Sequence, residues 1–224
     1  MESCLRPAWS LILLGALAVA GCETRPKPTP LVVSAPPQTK ADVWQGFANP
    51  TDLNRIRRVA TGWSSGLAEA RAAGFREAVR SEGRLLDPDA GLPRPAPTPG
   101  SYSCRLVKLG RTNGKGPAFE KFKPFFCYVQ VEDQLFTIVK QTGSQRPAGR
   151  LWEDDMPNRL IFLGSLALGN EDEARAYGDD PRRDMAGVFE RIAPFVWRLV
   201  IPYPQDGSRL QVFELVPVPE QPKG

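Results

Sequence analysis

The sequence predicts an α+β protein, mainly β, in which an antiparallel meander curls into a small barrel-like domain with an N-terminal helical segment packed on it. Residues 101–218 hold eight short runs rich in Val, Ile, Phe, Tyr and Trp, with turn residues between them. The last three runs are apolar on both faces, which is unusual for an antiparallel sheet open to water. We therefore expect one face to fill a barrel or sandwich interior and the other to lie under the helical segment.

The first 21 residues are predicted to be a lipoprotein signal peptide. Arg6 precedes an apolar run, residues 8–20, that is too short to span a bilayer and ends in small residues. Val19-Ala20-Gly21-Cys22 matches the lipobox of bacterial lipoproteins, in which the cysteine receives a diacylglyceryl group. We expect lipidation at Cys22 and a protein anchored in the cell envelope, facing the periplasm. Glu23 favours the outer membrane, and an ordinary secretory signal with a chance cysteine is the alternative.

Two proline-rich stretches flank the predicted helical segment. Residues 22–40 are predicted to form an extended tether that lifts the domain from the membrane. Residues 41–86 form the helical segment. Residues 87–100 hold five prolines and are interpreted as a second linker or an extended wrap.

The helical segment carries an apolar stripe at alternating three- and four-residue spacing, which lines one helix face. Its members are Leu53, Ile56, Ala60, Trp63, Leu67 and Ala70. We expect this stripe to face the core rather than a partner helix. Thr51 or Asp52 is the candidate N-cap. The glycines at positions 62, 66 and 74 weaken the helix and favour a break into two.

The β domain spans residues 101–218 and is read as a series of short strands with local connections. The candidate strands are 101–109, 124–132, 134–142, 149–153, 159–166, 186–192, 195–201 and 209–216. Asp206-Gly207 is a hairpin signal between the last two, and Glu132-Asp133 is a tight connection between the second and third. Mostly local connections favour one antiparallel meander.

Cys104 and Cys127 are the two cysteines left after Cys4 departs with the signal and Cys22 is lipidated. Two cysteines in an oxidising periplasm are expected to pair. On the chain-entropy model, closing a loop of this length stabilises the fold by roughly 3 kcal/mol.

The chain contains no histidine, which removes the commonest metal ligand and the usual base of nucleophilic catalysis. We therefore predict no catalytic residue, no metal and no cofactor. The net charge is +4 without a block of basic residues, so nucleic acid is not an expected partner. A histidine-free enzyme is the least favoured function.

Three charged residues fall within the apolar face of the last strands: Glu190, Arg198 and Glu214. They are a candidate polar cluster at the floor of a ligand pocket, because buried charges are costly unless paired. An internal salt-bridge network, which we favour, and a location at strand ends are the alternatives. Arg146, Arg182 and Arg183 lie in predicted turns and loops and are candidate interaction residues.

Several short motifs together resemble a known family. They are Gly100-Ser-Tyr-Ser-Cys104-Arg with Lys108-Leu-Gly110, Phe126-Cys127, Gly143-Ser-Gln-Arg-Pro147, Phe162-Leu-Gly164, Tyr177-Gly178, Gly187 with Glu190-Arg191, and Trp197-Arg-Leu-Val200. The set resembles a bacterial envelope-protein family that carries the domain of unknown function numbered 4893, over most of the mature chain. The resemblance implies a fold unit and no activity. A loose similarity to periplasmic protease inhibitors and lipocalin-like proteins is a fold-level analogy only.

The favoured function is that of a non-enzymatic binding protein, anchored to the membrane through Cys22. We expect it to hold a small apolar or amphiphilic ligand in the barrel. The alternative is an interaction module or inhibitor that docks onto an envelope protein. The first predicts a cavity in the barrel, and the second predicts a filled barrel with an exposed apolar or arginine-bearing surface.

Overall fold

The structure is a computed structural model that describes residues 37–169 and 171–219. The predicted signal peptide, Cys22 and most of the predicted tether lie outside the described residues. No helix within the described ranges is long and apolar enough to cross a membrane. The strands are β1 Gly100–Arg111, β2 Phe119–Lys121, β3 Phe125–Glu132, β4 Leu135–Lys140, β5 Gln145–Glu153, β6 Leu160–Leu168, β7 Asp184–Ala193, β8 Val196–Pro202 and β9 Ser208–Pro217.

The strands form a closed antiparallel barrel, which confirms the predicted meander. From β3 to β9 each strand pairs with the next, and β9 returns to β1 over a long register from Tyr102–Pro217 to Arg111–Ser208. Eight strands close the barrel, and the short β2 pairs with β1 beyond the end of β3. Closure leaves the barrel strands without a long open edge for unwanted pairing. The sequence did not predict β2 because three residues are too few to show an alternating pattern.

The barrel interior is filled by large side chains from alternate strand positions, as the period of two requires. Its buried members include Val129, Ile138, Leu151, Phe162, Phe189, Trp197, Leu199 and Leu215. The disulfide between Cys104 and Cys127 lies among them and joins β1 to β3, with the two Cα atoms 6.0 Å apart. This confirms the pairing predicted from the sequence.

Two facing glycines make room for the ring of Phe162 in the barrel interior. Gly149 on β5 pairs with Gly164 on β6, and the ring of Phe162 lies over both. A Cβ on Gly164 would come within 2.6 Å of that ring and 2.2 Å of the Ala148 carbonyl oxygen. The Phe162 ring therefore fills the space that side chains at positions 149 and 164 would otherwise occupy.

Within the described residues, four α-helices precede the barrel: α1 Lys40–Phe47, α2 Pro50–Arg57, α3 Val59–Ala70 and α4 Arg76–Ser81. The chain bends between α2 and α3, and again at Gly74, whose φ of 93° favours glycine. The predicted break is therefore present at Gly74. The residue that caps α2 is Asn49, which accepts a hydrogen bond from the Asp52 amide, rather than Thr51 or Asp52. Pro50 at the first helical position fixes this earlier start.

Helix α3 packs its apolar stripe on the outer face of β1, β8 and β9. Trp63, Leu67 and Ala70 are buried there against barrel residues Leu109, Val200, Leu210 and Val212. Gly62 and Gly66 lie inside a continuous α3 and do not break it. A Cβ on Gly62 would meet Leu210 at 2.9 Å, and one on Gly66 would meet Leu109 at 3.3 Å. These glycines let the helix approach the sheet closely, while Ala60 of the predicted stripe is exposed.

The proline-rich residues 87–100 lie against one end of the barrel, which supports the wrap interpretation rather than a free linker. The Leu92 amide donates to the Arg191 carbonyl at 2.8 Å, and the Trp197 indole N–H donates to the Pro95 carbonyl at 3.0 Å. The Tyr102 hydroxyl donates to the Thr98 carbonyl at 2.5 Å. The rings of Tyr102 and Trp197 meet edge to face beneath this segment, so that end of the barrel is covered.

Candidate functional site

The opposite end of the barrel holds a cavity of about 250 Å³, which we call the barrel mouth. Its inner wall is apolar because inward-facing positions of four strands meet there. They are Leu106 of β1, Leu166 of β6, Met185 of β7 and Phe213 of β9. Deeper in the barrel, between Cys127, Ile138 and Phe162, only about 10 Å³ remains open. The barrel thus offers a shallow cup at one end above a packed centre.

Lys140 brings a positive charge to the wall of the barrel mouth. It is the last residue of β4 and follows Phe136 and Ile138 on the inward face, so the alternation carries its amine into the cavity. The amine donates to the Gln145 carbonyl at 2.8 Å and lies 4.3 Å from the centre of the Phe125 ring. No carboxylate in the described parts of the chain pairs with it. Burial, together with the nearby charges of Lys108 and Arg146, lowers the pKa of Lys140.

The charged groups near Asp206, beside the mouth, are paired with one another. Lys108 forms an ion pair with Asp206 at 2.7 Å, and Asp206 also accepts hydrogen bonds from Ser208 and Gln211. Burial alone would raise the pKa of Asp206, but these donors outweigh it and lower the pKa. The charge of Asp206 is therefore balanced by Lys108. Among the described residues, Lys140 is the cation of the mouth that has no acidic partner.

The predicted interaction residues Arg146, Arg182 and Arg183 are gathered around the mouth. Arg182 and Arg183 line it directly. Arg183 is held by Glu171 at 2.6 Å, and the pKa of Arg183 is raised by that pairing. Arg182 is tied only to Asp180 among the described residues, and its side chain is 88% exposed.

Arg146 lies behind the rim and takes no part in lining the mouth. Its guanidinium donates to the carbonyls of Gly143 and Gly169 at 2.9 and 2.8 Å and also to that of Glu171. Arg146 therefore holds neighbouring backbone segments together. It also contributes to the positive potential at Lys140.

A buried polar network fixes the segment that carries Arg182 and Arg183. The Tyr177 hydroxyl donates to Asp52 on α2 at 2.8 Å and accepts from the Asn49 amide at 3.0 Å. Asp184 accepts from the Gly178 amide at 3.0 Å and from the Asn49 side chain at 3.1 Å. Burial raises the pKa of Asp184, and the charge of nearby Asp52 adds to this. Helix α2 therefore holds the rim in place from outside the barrel.

Glu190 and Arg198 do not lie at the floor of the barrel cavity. Strand alternation turns both outward, and they pair across β7 and β8 beneath the helical segment. Arg198 is fully buried and donates through Nε to Glu190 Oε2 at 2.8 Å. Its remaining N–H groups reach the carbonyls of Leu85, Asp87 and Pro88 at 3.1, 2.5 and 3.1 Å.

Glu214 belongs to a different cluster from Glu190 and Arg198. It accepts from Arg105 Nε, while Arg105 Nη1 reaches Glu82 of the helical segment. Lys121 completes this cluster on Glu82 at 3.1 Å. The arrangement corresponds to the satisfied salt-bridge alternative, since each charge has an opposite partner.

The residue that sequence reasoning missed as a site member is Lys140. The signal was present, because a lysine in phase with two inward apolar residues must point into a barrel. Asp206 was noticed only as part of a turn. No group of three or more Cys, Asp or Glu side chains that could hold a metal ion occurs within residues 37–169 and 171–219. The mouth can therefore bury an apolar group and offer an ammonium and hydrogen bonds at its rim.

Comparison with known proteins gives one family and no characterised relative. A family model described as a domain of unknown function, DUF4893, matches residues 44–215. That range includes α2 to α4 and almost the whole barrel. No curated protein and no solved structure matches this chain.

Proposed function

The chain belongs to the DUF4893 family, and because that family's description assigns no activity, we propose from the geometry that it is a non-enzymatic binding protein for a small amphiphilic ligand. The observation that carries the proposal is the barrel mouth, where an apolar cup of about 250 Å³ meets the ammonium of Lys140, which has no acidic partner among the described residues. Apolar pockets with a few convergent polar groups are the usual form of small-molecule sites.

The charge of the mouth favours a ligand with an anionic head. Lys108 and Arg183 are neutralised by Asp206 and Glu171, while Lys140 retains donors and has a pKa lowered by burial and by nearby cations. A carboxylate at the rim would offset that positive potential and accept a charge-assisted hydrogen bond. The small volume favours a short alkyl chain, which would lie against Leu106, Leu166 and Phe213.

We further propose that the protein is a lipoprotein held by an acylated Cys22 in the envelope, facing the periplasm, with the outer membrane favoured. The lipobox sequence supports this, and so does the Cys104–Cys127 disulfide, since such bonds persist in oxidising compartments. In cells fed labelled palmitate, the wild-type chain should incorporate label and the Cys22→Ala chain should not. Equal labelling of the two would overturn the anchor.

The binding proposal is tested by titrating the full chain with octanoate, octanol and octylamine in a calorimeter. Octanoate should bind about tenfold more tightly than octanol, because a charge-assisted hydrogen bond adds roughly this much. Lys140→Met should abolish the preference for octanoate, while Lys123→Met, which alters an exposed lysine outside the mouth, should retain it. Absence of octanoate binding, or equal binding of acid and alcohol, would overturn the proposal.

A further inference from the structure

A second cavity of about 400 Å³ lies outside the barrel wall, between the helical segment and strands β7 and β8. We call it the helix–barrel crevice. Its apolar walls include Ile56 and Val59 from the helices and Val200 from the barrel, and Glu190 lines it as well. The crevice shares no lining residue with the barrel mouth, so the two are separate places on the molecule.

One carboxylate oxygen of Glu190 accepts hydrogen bonds from Arg198, and the other accepts none from the described residues. Oε2 accepts from both Nε and Nη2 of Arg198, at 2.8 and 2.7 Å. Oε1 accepts no hydrogen bond from the described residues. It lies 2.9 Å from the point that a Cβ on Gly91 would occupy. Any larger residue at position 91 would therefore press on this oxygen, and glycine leaves it open.

The other charges around the crevice do not satisfy Oε1. Arg159 is engaged by Asp154 at 2.6 Å, and Arg198 is used by Glu190 Oε2 and by backbone carbonyls. Arg57 and Asp89 are exposed residues of opposite sign that line the crevice. The crevice therefore combines apolar walls with one carboxylate oxygen that can accept a strong hydrogen bond.

We propose that the helix–barrel crevice is a second binding site, which takes a compact primary amine with an apolar body. The ammonium donates to Glu190 Oε1, where the partly buried carboxylate strengthens the bond. The apolar body packs against Ile56, Val59 and Val200, which gives the site its preference for hydrophobic amines. A ligand that carries a carboxylate in place of the ammonium would face Glu190 with like charge and is rejected.

The first experiment titrates the full chain with phenethylamine and follows the backbone amide resonances of Gly91 and Asn158 by NMR. Phenethyl alcohol and hydrocinnamate provide the same body with a neutral and an anionic head. The amine should bind about tenfold more tightly than the alcohol, which is the usual gain from a charge-assisted hydrogen bond. Equal binding of amine and alcohol, or shifts that avoid Gly91 and Asn158, would overturn the proposal.

Glu190→Gln should remove the preference for the amine, but this change also leaves Arg198 buried without its counter-charge. Ala60→Trp avoids that problem, because Ala60 is exposed on α3 and lines the crevice, so a large side chain there fills the space. Ala68→Trp is the matched control on the same helix, exposed and outside the crevice.

Ala60→Trp should weaken phenethylamine binding at least about tenfold, and Ala68→Trp should leave it unchanged. Both variants should bind octanoate like the wild type, since the barrel mouth is untouched. This separates failure of the crevice proposal from failure of the proposed function. Unchanged amine binding in Ala60→Trp would overturn the crevice proposal.

Discussion

The guanidinium of Arg198 lies 5.0 Å from the centre of the Trp63 ring, so a barrel strand and helix α3 meet through a cation–π contact. The same guanidinium binds Glu190 and the carbonyls at the end of the helical segment. One fully buried side chain of β8 therefore contacts the neighbouring strand β7 and two parts of the outer layer, helix α3 and the carbonyls at residues 85–88. The helical segment is held by a specific polar contact as well as by its apolar stripe.

Replacing Arg198 with Met should lower the free energy of unfolding by about 3–5 kcal/mol, because Glu190 and several carbonyls lose their buried partner. Urea unfolding at neutral pH measures the change. Arg150→Met is the control, since Arg150 pairs with an exposed Asp133, and it should change stability by less than about 1 kcal/mol. If the two substitutions lowered the free energy of unfolding equally, the buried Arg198 contact would contribute no more to stability than the exposed Arg150 pair.

Replacing Cys104 with Ser should lower stability by about 2–5 kcal/mol, since the disulfide with Cys127 closes a loop of 23 residues inside the barrel. Thermal melting in oxidising buffer measures the loss. A reductant should lower the melting temperature of the wild type and leave that of the variant unchanged. An unaltered melting temperature in the variant would contradict this prediction.

Replacing Gly164 with Ala should destabilise the barrel by about 1–3 kcal/mol, because the new Cβ would collide with the Phe162 ring and the Ala148 carbonyl. Gly46→Ala is the matched control. Gly46 lies in α1, where an added Cβ would have no neighbour within 4 Å among the described residues, and alanine there should be neutral or stabilising. Chemical unfolding of both variants distinguishes an interior collision from a general effect of losing glycine.

Glu69 gives the fold a defined dependence on pH. Burial alone would raise its pKa, but hydrogen bonds from Arg111 and Arg209 outweigh burial and lower the pKa from 4.5 to about 2. An acid with a lowered pKa stabilises the fold above its unfolded pKa, and this contribution is lost as the pH falls from 4.5 towards 2.

Glu69→Gln should therefore reduce stability at neutral pH by about 1 kcal/mol, a modest value because water screens this partly exposed group. The difference from the wild type should shrink as the pH falls below 4.5. Glu77→Gln, which breaks an exposed pair with Arg80, is the control and should show little difference at any pH. A constant gap between Glu69→Gln and the wild type across this range would exclude the titration of Glu69 as its cause.

The fold could be predicted because its signals are local and repeated. Each element can be predicted from its own short stretch of sequence: the strands from alternating apolar residues, the last hairpin from the Asp206-Gly207 turn, and α3 from its apolar stripe. The two apolar faces of the last strands also predicted both the interior and the covered outer wall. The roles of Gly62 and Gly66 could not be predicted in the same way, because a glycine that breaks a helix and one that permits close packing look alike in sequence.

The candidate site was harder to predict because it depends on which strand ends meet. Glu190, Arg198 and Glu214 share one sheet face, as expected, and the register places Glu214 opposite both Arg105 and Arg198. Only the side-chain hydrogen bonds show that Glu214 binds Arg105 while Arg198 binds Glu190. Lys140 becomes significant only once β1, β6, β7 and β9 surround it. Such neighbours are set by barrel closure, a long-range property that short motifs do not contain.

The proline-rich residues 87–100 make the two ends of the barrel unequal, because the chain itself covers the end at Trp197 and leaves the end at Phe213 accessible. A barrel that is open at one end has a single route for ligand entry and release. A ligand bound in the barrel mouth would therefore leave through the same opening by which it entered. Under the proposed function, the protein stores a ligand or passes it to a neighbour. Conducting a ligand from end to end would require the packed centre of the barrel to open as well as residues 87–100 to detach.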